Sequence, residues 1–293
     1  MFDAIINGPG IPQLRNAIRI ISTVGNPAVV MMTAAGLSIQ ASDELGFAAE
    51  LRLNRTACER SRFEPEIPES NFEYLFIDLT PLRQFLEQPT HDRDALLIAY
   101  NPLPYLPEKW LMLWLLKPAP TKGYDMLEAI YDQFHVPAMM VDETPYMLTA
   151  TIRSLLFRDT VRGLRYFMDE NDHRRDNFRP IWITLRGAMM VIRVHGLDEV
   201  VLQESTGDFS IQGAAAFGDD ISPLSFDLAN LEAFINAAQM SQNVLLHVDP
   251  NQRPLLNCPF GNGLGNLFFF GNKSVPIWSG DHHDSIFDSN LLC

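Results

Sequence analysis

Eighteen arginines against four lysines (Lys109, Lys117, Lys122 and Lys273) are the first chemical feature of the chain. Arginine pairs with phosphate through a planar fork of donors that a lysine ammonium lacks. Several of the arginines are spaced to act together. At near 100° per residue, Arg158, Arg162 and Arg165 share one stripe of a helix, with Phe157, Val161 and Leu164 on the other side. Arg15 and Arg19 flank a second apolar stripe of Ile11, Leu14, Ile18 and Ile21, and Arg83 stands alone on a shorter helical pattern. Such stripes hold a polyanion by its phosphates without reading bases. An ordinary solvated helix face is the competing account.

Other candidate chemistry is weaker. Asp281-His282-His283-Asp284 has metal-ligand residue types, but neighbouring side chains in a polar tail do not converge on one ion, so no metal is expected. Gly261-Asn262-Gly263-Leu264-Gly265 precedes an apolar strand pattern rather than a helix, which makes it a hairpin turn and not a phosphate cradle. Cys58 lies near Glu59, Arg60 and Arg62 with no histidine nearby in sequence, so it reads as a loop cysteine. His195, before Gly196, reads as a turn residue. No catalytic residue, cofactor or metal is assigned, and the expectation is a protein that is not an enzyme.

Composition narrows the classes further. The chain has 293 residues, 47% apolar and 20% charged, which are globular values with room for two domains. A net charge of −14 excludes uniform coating of nucleic acid, so any contact with DNA needs its cations gathered on one face. Cys58, Cys258 and Cys293 are odd in number and far apart, which indicates neither a disulfide framework nor a zinc site. The N-terminal stretch has no signal-peptide pattern, and the apolar run from Trp110 to Leu116 is too short to span a bilayer. A reducing compartment, cytoplasm or nucleus, is expected, with no membrane partner.

The elements that position the arginines come in two sets. Asp78-Leu79-x-x-Leu82-x-x-Phe85-Leu86 recurs as Asp227-Leu228-x-x-Leu231-x-x-Phe234-Ile235, an offset of 149 residues. The same offset carries Ala95-Leu96-Leu97-Ile98-Ala99 onto Val244-Leu245-Leu246-His247-Val248. A shift of half the chain indicates a duplicated domain. Each copy predicts a long amphipathic helix (11–22 and 154–168), then strands, then a strand leading into a short helix and a further strand. That pattern is α+β, with few helices on antiparallel sheet. The expected division is 1–131 and 146–273 for the two domains, 132–145 for an extended connector, and 274–293 for a tail.

Short motifs along nearly the whole chain resemble the sliding-clamp superfamily of PCNA. Gly36-Leu37-Ser38-Ile39-Gln40-Ala41-Ser42-Asp43 is similar to the clamp's first hairpin, and Gly123-Tyr124-Asp125-Met126 through Val136-Pro137 to its subunit-edge strand and connector. Within that superfamily the chain is most similar to the tailed, Rad-nine-type subunit of the heterotrimeric DNA-damage checkpoint clamp. Met126-Leu127-Glu128-Ala129-Ile130-Tyr131-Asp132, Phe234-Ile235-Asn236-Ala237-Ala238, the stretch Leu246-His247-Val248-Asp249-Pro250-Asn251-Gln252-Arg253-Pro254 and the tail residues Asp281 to Asp288 carry that likeness. The second short helix departs from it in having no basic residue.

The resemblance implies the DNA-clamp fold, with two similar domains, each with two inner helices and outer antiparallel sheets. It implies a nuclear ring that encircles double-stranded DNA, with two other clamp subunits, a clamp loader, and checkpoint or repair proteins as partners. DNA-facing positions would be Arg15, Arg19, Arg83, Arg158, Arg162 and Arg165. Subunit edges would hold Tyr124, Met126, Leu127 and Ile130 on one side and Ile211, Gly213 and Ala215 on the other. The connector residues Phe134, Val136, Met139, Met140 and Val141 would dock partners. A homotrimeric replicative clamp and, from another class, an acidic enzyme with scattered carboxylates remain open as alternatives.

Overall fold

The computed structural model describes residues 1–43, 47–65, 71–100, 110–117, 123–128, 146–170, 180–186, 188–194, 199–213, 224–227, 230–248 and 254–270. The first half carries β1 (Phe2–Asn7), α1 (Gly10–Val24), β2 (Ala28–Thr33), β3 (Gly36–Ser42), β4 (Ala48–Asn54), β5 (Arg60–Phe63) and β6 (Phe72–Ile77). It continues with α2 (Leu79–Leu86), β7 (Ala95–Tyr100), β8 (Trp110–Leu116) and β9 (Gly123–Glu128). The second half has β10 (Leu148–Arg153), α3 (Ser154–Glu170), β11 (Pro180–Arg186), β12 (Met189–Val194), β13 (Glu199–Gln203), β14 (Phe209–Gly213) and β15 (Leu224–Asp227). It ends with α4 (Leu231–Gln239), β16 (Asn243–Val248), β17 (Pro254–Phe260) and β18 (Gly265–Phe270). Both halves follow one order: strand, helix, five strands, helix, three strands. The chain is α+β, with antiparallel sheet and few helices.

Local chemistry accounts for the helices. In α1, Ile11, Leu14, Ile18 and Ile21 recur at helical spacing and are all buried. The helix stops at Gly25, whose N–H donates to the Ile21 carbonyl at 3.3 Å. α2 begins at Asp78, whose carboxylate accepts from the Thr80 N–H at 2.7 Å, while the Asn26 amide donates to Asp78 at 2.8 Å and its oxygen accepts from the Leu79 N–H.

Among the described residues, three sheets hold these helices. One has the order β5-β1-β7-β8-β9, one has β13-β12-β11-β15, and a nine-stranded sheet runs β14-β10-β16-β17-β18-β4-β3-β2-β6. The large sheet is two sheets joined: five strands of the second half meet four of the first where β18 pairs with β4, from Gly265 opposite Leu53 to Phe270 opposite Ala48. Phe47, Phe234 and Phe269 pack across that joint, with ring centroids 4.7 to 6.2 Å apart. Asn54 adds a bond from its amide to the Gly263 carbonyl at 2.8 Å. One core cluster includes residues of both halves.

Register corrects part of the self-match. The 149-residue offset holds for the short helices, where Leu82, Phe85 and Leu86 answer to Leu231, Phe234 and Ile235, all buried. For the strand that follows, it would set Leu97 on Leu246. Leu246 is in the core, whereas Leu97 is half-buried on the opposite face from buried Leu96 and Ile98. Pairing with the first strand of each half, Phe2 opposite Tyr100 and Leu148 opposite Val248, makes Leu96 the counterpart of Val244. A slip of one residue exchanges the two faces of a strand, so the burial pattern decides it.

Candidate nucleic-acid interface

Among the described residues, four helices form a row in the order α2, α1, α4, α3, each packed on the next. Their apolar faces lie in the core and their polar faces point away from it. On α1, Arg15 is half-buried and Arg19 exposed. On α3, Arg158 is half-buried and Arg162 exposed, so that Leu14-Arg15 and Ile18-Arg19 correspond to Phe157-Arg158 and Val161-Arg162. The Nε atoms of Arg15 and Arg158 are both buried without a hydrogen-bond partner. Arg83 is exposed on α2, and Arg165 falls on α3 with its side chain outside the described residues. α4 contributes Glu232 and no cation.

Among the candidate arginines whose side chains are described, Arg19 stands apart. Its Nε and Nη2 donate to the two carboxylate oxygens of Glu87, both at 2.7 Å, in a bidentate pair. That pairing offsets its charge, and at about half exposure its net stabilisation is small.

The sheet edges are also assigned. β9 pairs with β8 and ends the five-stranded sheet, with Met126 opposite Met112 and Tyr124 opposite Trp114. Ile211 and Gly213 lie on β14, opposite Ala150 and Leu148 of β10, at one end of the nine-stranded sheet. Ile130, Ala215 and the connector residues Phe134, Val136, Met139, Met140 and Val141 lie outside the described residues, as do 132–145 and 274–293 entirely. β13, which the sequence reads as a strand over 200–204 while the edge is expected near Ile211, is the end strand of the four-stranded sheet. A signal for it existed: the 149 offset carries Glu50 through Asn54 of β4 onto Glu199 through Gln203.

Reactive groups elsewhere are held quiet. Burial pushes the Cys58 thiol up, and does so more strongly for fully buried Cys258. Gly261, Asn262 and Gly263, all at positive φ, make the turn between β17 and β18. Glu50 is buried on the outer face of β4, where burial raises its carboxyl and Arg52 at 3.1 Å pulls it back. Arg52 in turn lies 5.3 Å over the Phe268 ring, so this is an ion pair on a sheet face rather than a pair of carboxylates. Among the described residues no group of three or more His, Cys, Asp or Glu is placed to hold a metal, and no helix is long and apolar enough to cross a membrane. No known family model matches the chain, and no curated protein matches it.

Proposed function

We propose that the chain is a non-enzymatic, ring-forming DNA clamp subunit of the damage-checkpoint type, with the DNA-clamp fold, acting on nuclear DNA. The observation that carries this reading is a strand pair left unmade. β18 pairs with β4 inside the chain; the repeat gives β18 the counterpart β9, and β4 the counterpart β13. Those two counterparts have one neighbour each among the described strands, β8 and β12. A second pairing of the same kind, from β9 of one subunit to β13 of the next, makes a head-to-tail contact that closes into a ring. This moves the second subunit edge from the Ile211 region to 199–203. The row of helices then forms the inner wall, and Arg15, Arg83, Arg158, Arg162 and Arg165 offer phosphate contacts that read no bases.

Charge favours unlike neighbours over a homotrimer. β9 carries Asp125 and Glu128, while β13 carries Glu199 and no cation, so the chain's own edges repel. Native mass spectrometry of the chain, alone and mixed with candidate clamp subunits, tests the reading. An equimolar three-subunit ring with two different partners is expected. A trimer of the chain alone would turn the reading to the replicative type, and a monomer in every mixture would remove it.

A further inference from the structure

The internal joint between β18 and β4 carries a charge-and-ring contact on its outer face, in addition to its ladder. Arg52 of β4 stands opposite Asn266 and lies 5.3 Å over the ring of Phe268, the next residue of β18 on that face. Its Nε and Nη2 both donate to one carboxylate oxygen of Glu50 at 3.1 Å, and Glu50 stands opposite Phe268. Glu50 and Phe268 are buried, and the Arg52 side chain is 30% exposed. A guanidinium fixed by a carboxylate and partly withdrawn from water is attracted to the face of a ring.

Sheet register carries each member of this contact to the other two edges. With Val248 matched to Tyr100, the ladders of β16, β17 and β18 match those of β7, β8 and β9 row by row. Leu245, Asn257 and Phe268 form one row of the second half, and Leu97, Trp114 and Tyr124 form its counterpart. Tyr124 of β9 therefore holds the register position of Phe268, so an aromatic residue is kept there. With Asp78 matched to Asp227, Val30, Ile39 and Leu51 answer to Ile183, Ile192 and Val200. Glu199 is then the counterpart of Glu50, and Val201 that of Arg52. The cation is not kept. Val201 is 38% exposed, and Glu199 takes its arginine from β12 instead, with Arg193 Nη2 2.6 Å away.

The chain thus has the aromatic half of the contact on its β9 edge and lacks the arginine half on its β13 edge. We infer that the strand accepted by the β9 edge carries an arginine in the place of Arg52, laid over Tyr124. A second copy of the chain, with Val201 in that place, is the poorer occupant. This inference rests on the proposed ring and names the chemistry of one neighbour. That neighbour is a clamp subunit whose edge strand reads as β4 does, with a glutamate, one residue between, and an arginine.

Supplying the missing arginine to the chain itself tests the inference. At an exposed position, Val201→Arg leaves the core untouched. Native mass spectrometry and sedimentation of the chain alone are expected to show Val201→Arg self-associating at least about tenfold more tightly than the parent. Adding Tyr124→Leu to Val201→Arg should return the chain to the parent's behaviour, and Val201→Leu should behave as the parent does. In mixtures with candidate clamp subunits, Tyr124→Leu should weaken the three-subunit ring by about tenfold, and Tyr124→Phe should form it as the parent does. Four results would each overturn the inference and leave the ring standing: a trimer of the parent alone, no gain from Val201→Arg, a gain that survives Tyr124→Leu, or an undiminished three-subunit ring with Tyr124→Leu. A parent that stays monomeric in every mixture removes the ring and the inference together.

Discussion

Arg15 and Arg158 occupy equivalent turns of equivalent helices, and each turns its Nε against the protein without an acceptor. A guanidinium held that way by packing leaves its terminal nitrogens as the donors a phosphate can take. Arg19, by contrast, is committed to Glu87. Two side chains elsewhere make stability depend on pH. Asp78 is held below the ordinary carboxylate range, first by the Thr80 N–H and then by the Asn26 amide. Asp78→Ala is expected to cost about 1 kcal/mol in urea denaturation at neutral pH. Because the folded pKa is depressed, that contribution is present above the unfolded carboxyl pKa and is lost as pH falls through the folded one. His247 works in the same sense. It stacks on Tyr146 with centroids 4.0 Å apart, and its ring nitrogens lie 2.9 Å from the Thr149 hydroxyl and 3.2 Å from the Asn257 amide. Burial lowers its pKa to about 4, so the unfolded chain takes up a proton first. Between an unfolded value of about 6.5 and the folded one, stability should fall by an amount on the order of 3 kcal/mol. Urea midpoints measured across that range should drop steeply for the parent and flatten in His247→Gln; parallel curves would show that another group sets the slope.

At the level of elements, the assembly contact can be tested strand by strand. Successive residues of an antiparallel strand point their N–H groups to opposite sides. Of Met126→Pro and Leu127→Pro, one therefore breaks a bond from β9 to β8 and lowers Tm, while the other removes an outward donor and spares the fold. The variant that keeps its Tm should lose assembly with partner subunits, as should the matching member of Val200→Pro and Val201→Pro on β13. Ile211→Ser on β14 should leave assembly unchanged; the reverse result would restore the original Ile211 edge. The contrast between β13 and β14 also marks what sequence makes legible. Helices were readable because Leu14, Ile18, Phe157 and Val161 sit at a period only a helix buries on one side. β5 was not, since Arg60, Ser61 and Arg62 offer no apolar alternation, although they pair with β1. The resemblance placed the second edge at Ile211, Gly213 and Ala215, yet an edge is a property of sheet order, which no single strand carries.

For the whole molecule, the decisive contact was the least legible one. Nothing in Gly265–Phe270 names Ala48–Asn54 as its neighbour, because the pairing joins segments some two hundred residues apart. Once it is made, the duplication read from Asp78 and Asp227 becomes a chain with one internal joint, whose counterpart strands β9 and β13 each have one neighbour among the described strands. In the ring proposed here, cations are sparse and Glu87, Asp159 and Glu232 lie exposed on or beside the same helix row. Direct affinity for DNA should therefore be weak and fall steeply with salt, with each phosphate contact contributing a slope of about −0.9 in log K against log salt. Retention must come instead from closure, which separates two DNA substrates of equal charge. An assembled ring loaded on nicked circular DNA should persist through a high-salt wash, while the same ring slides off linear DNA of equal length. Changing Arg158, Arg162 and Arg165 together to Glu should abolish loading with the apolar face of α3 untouched and Tm preserved, whereas Arg19→Ala should load like the parent. If the triple variant loads and stays on circular DNA as the parent does, the α3 stripe is a solvated face. If the parent itself leaves circular and linear DNA at the same rate, no ring encloses the duplex.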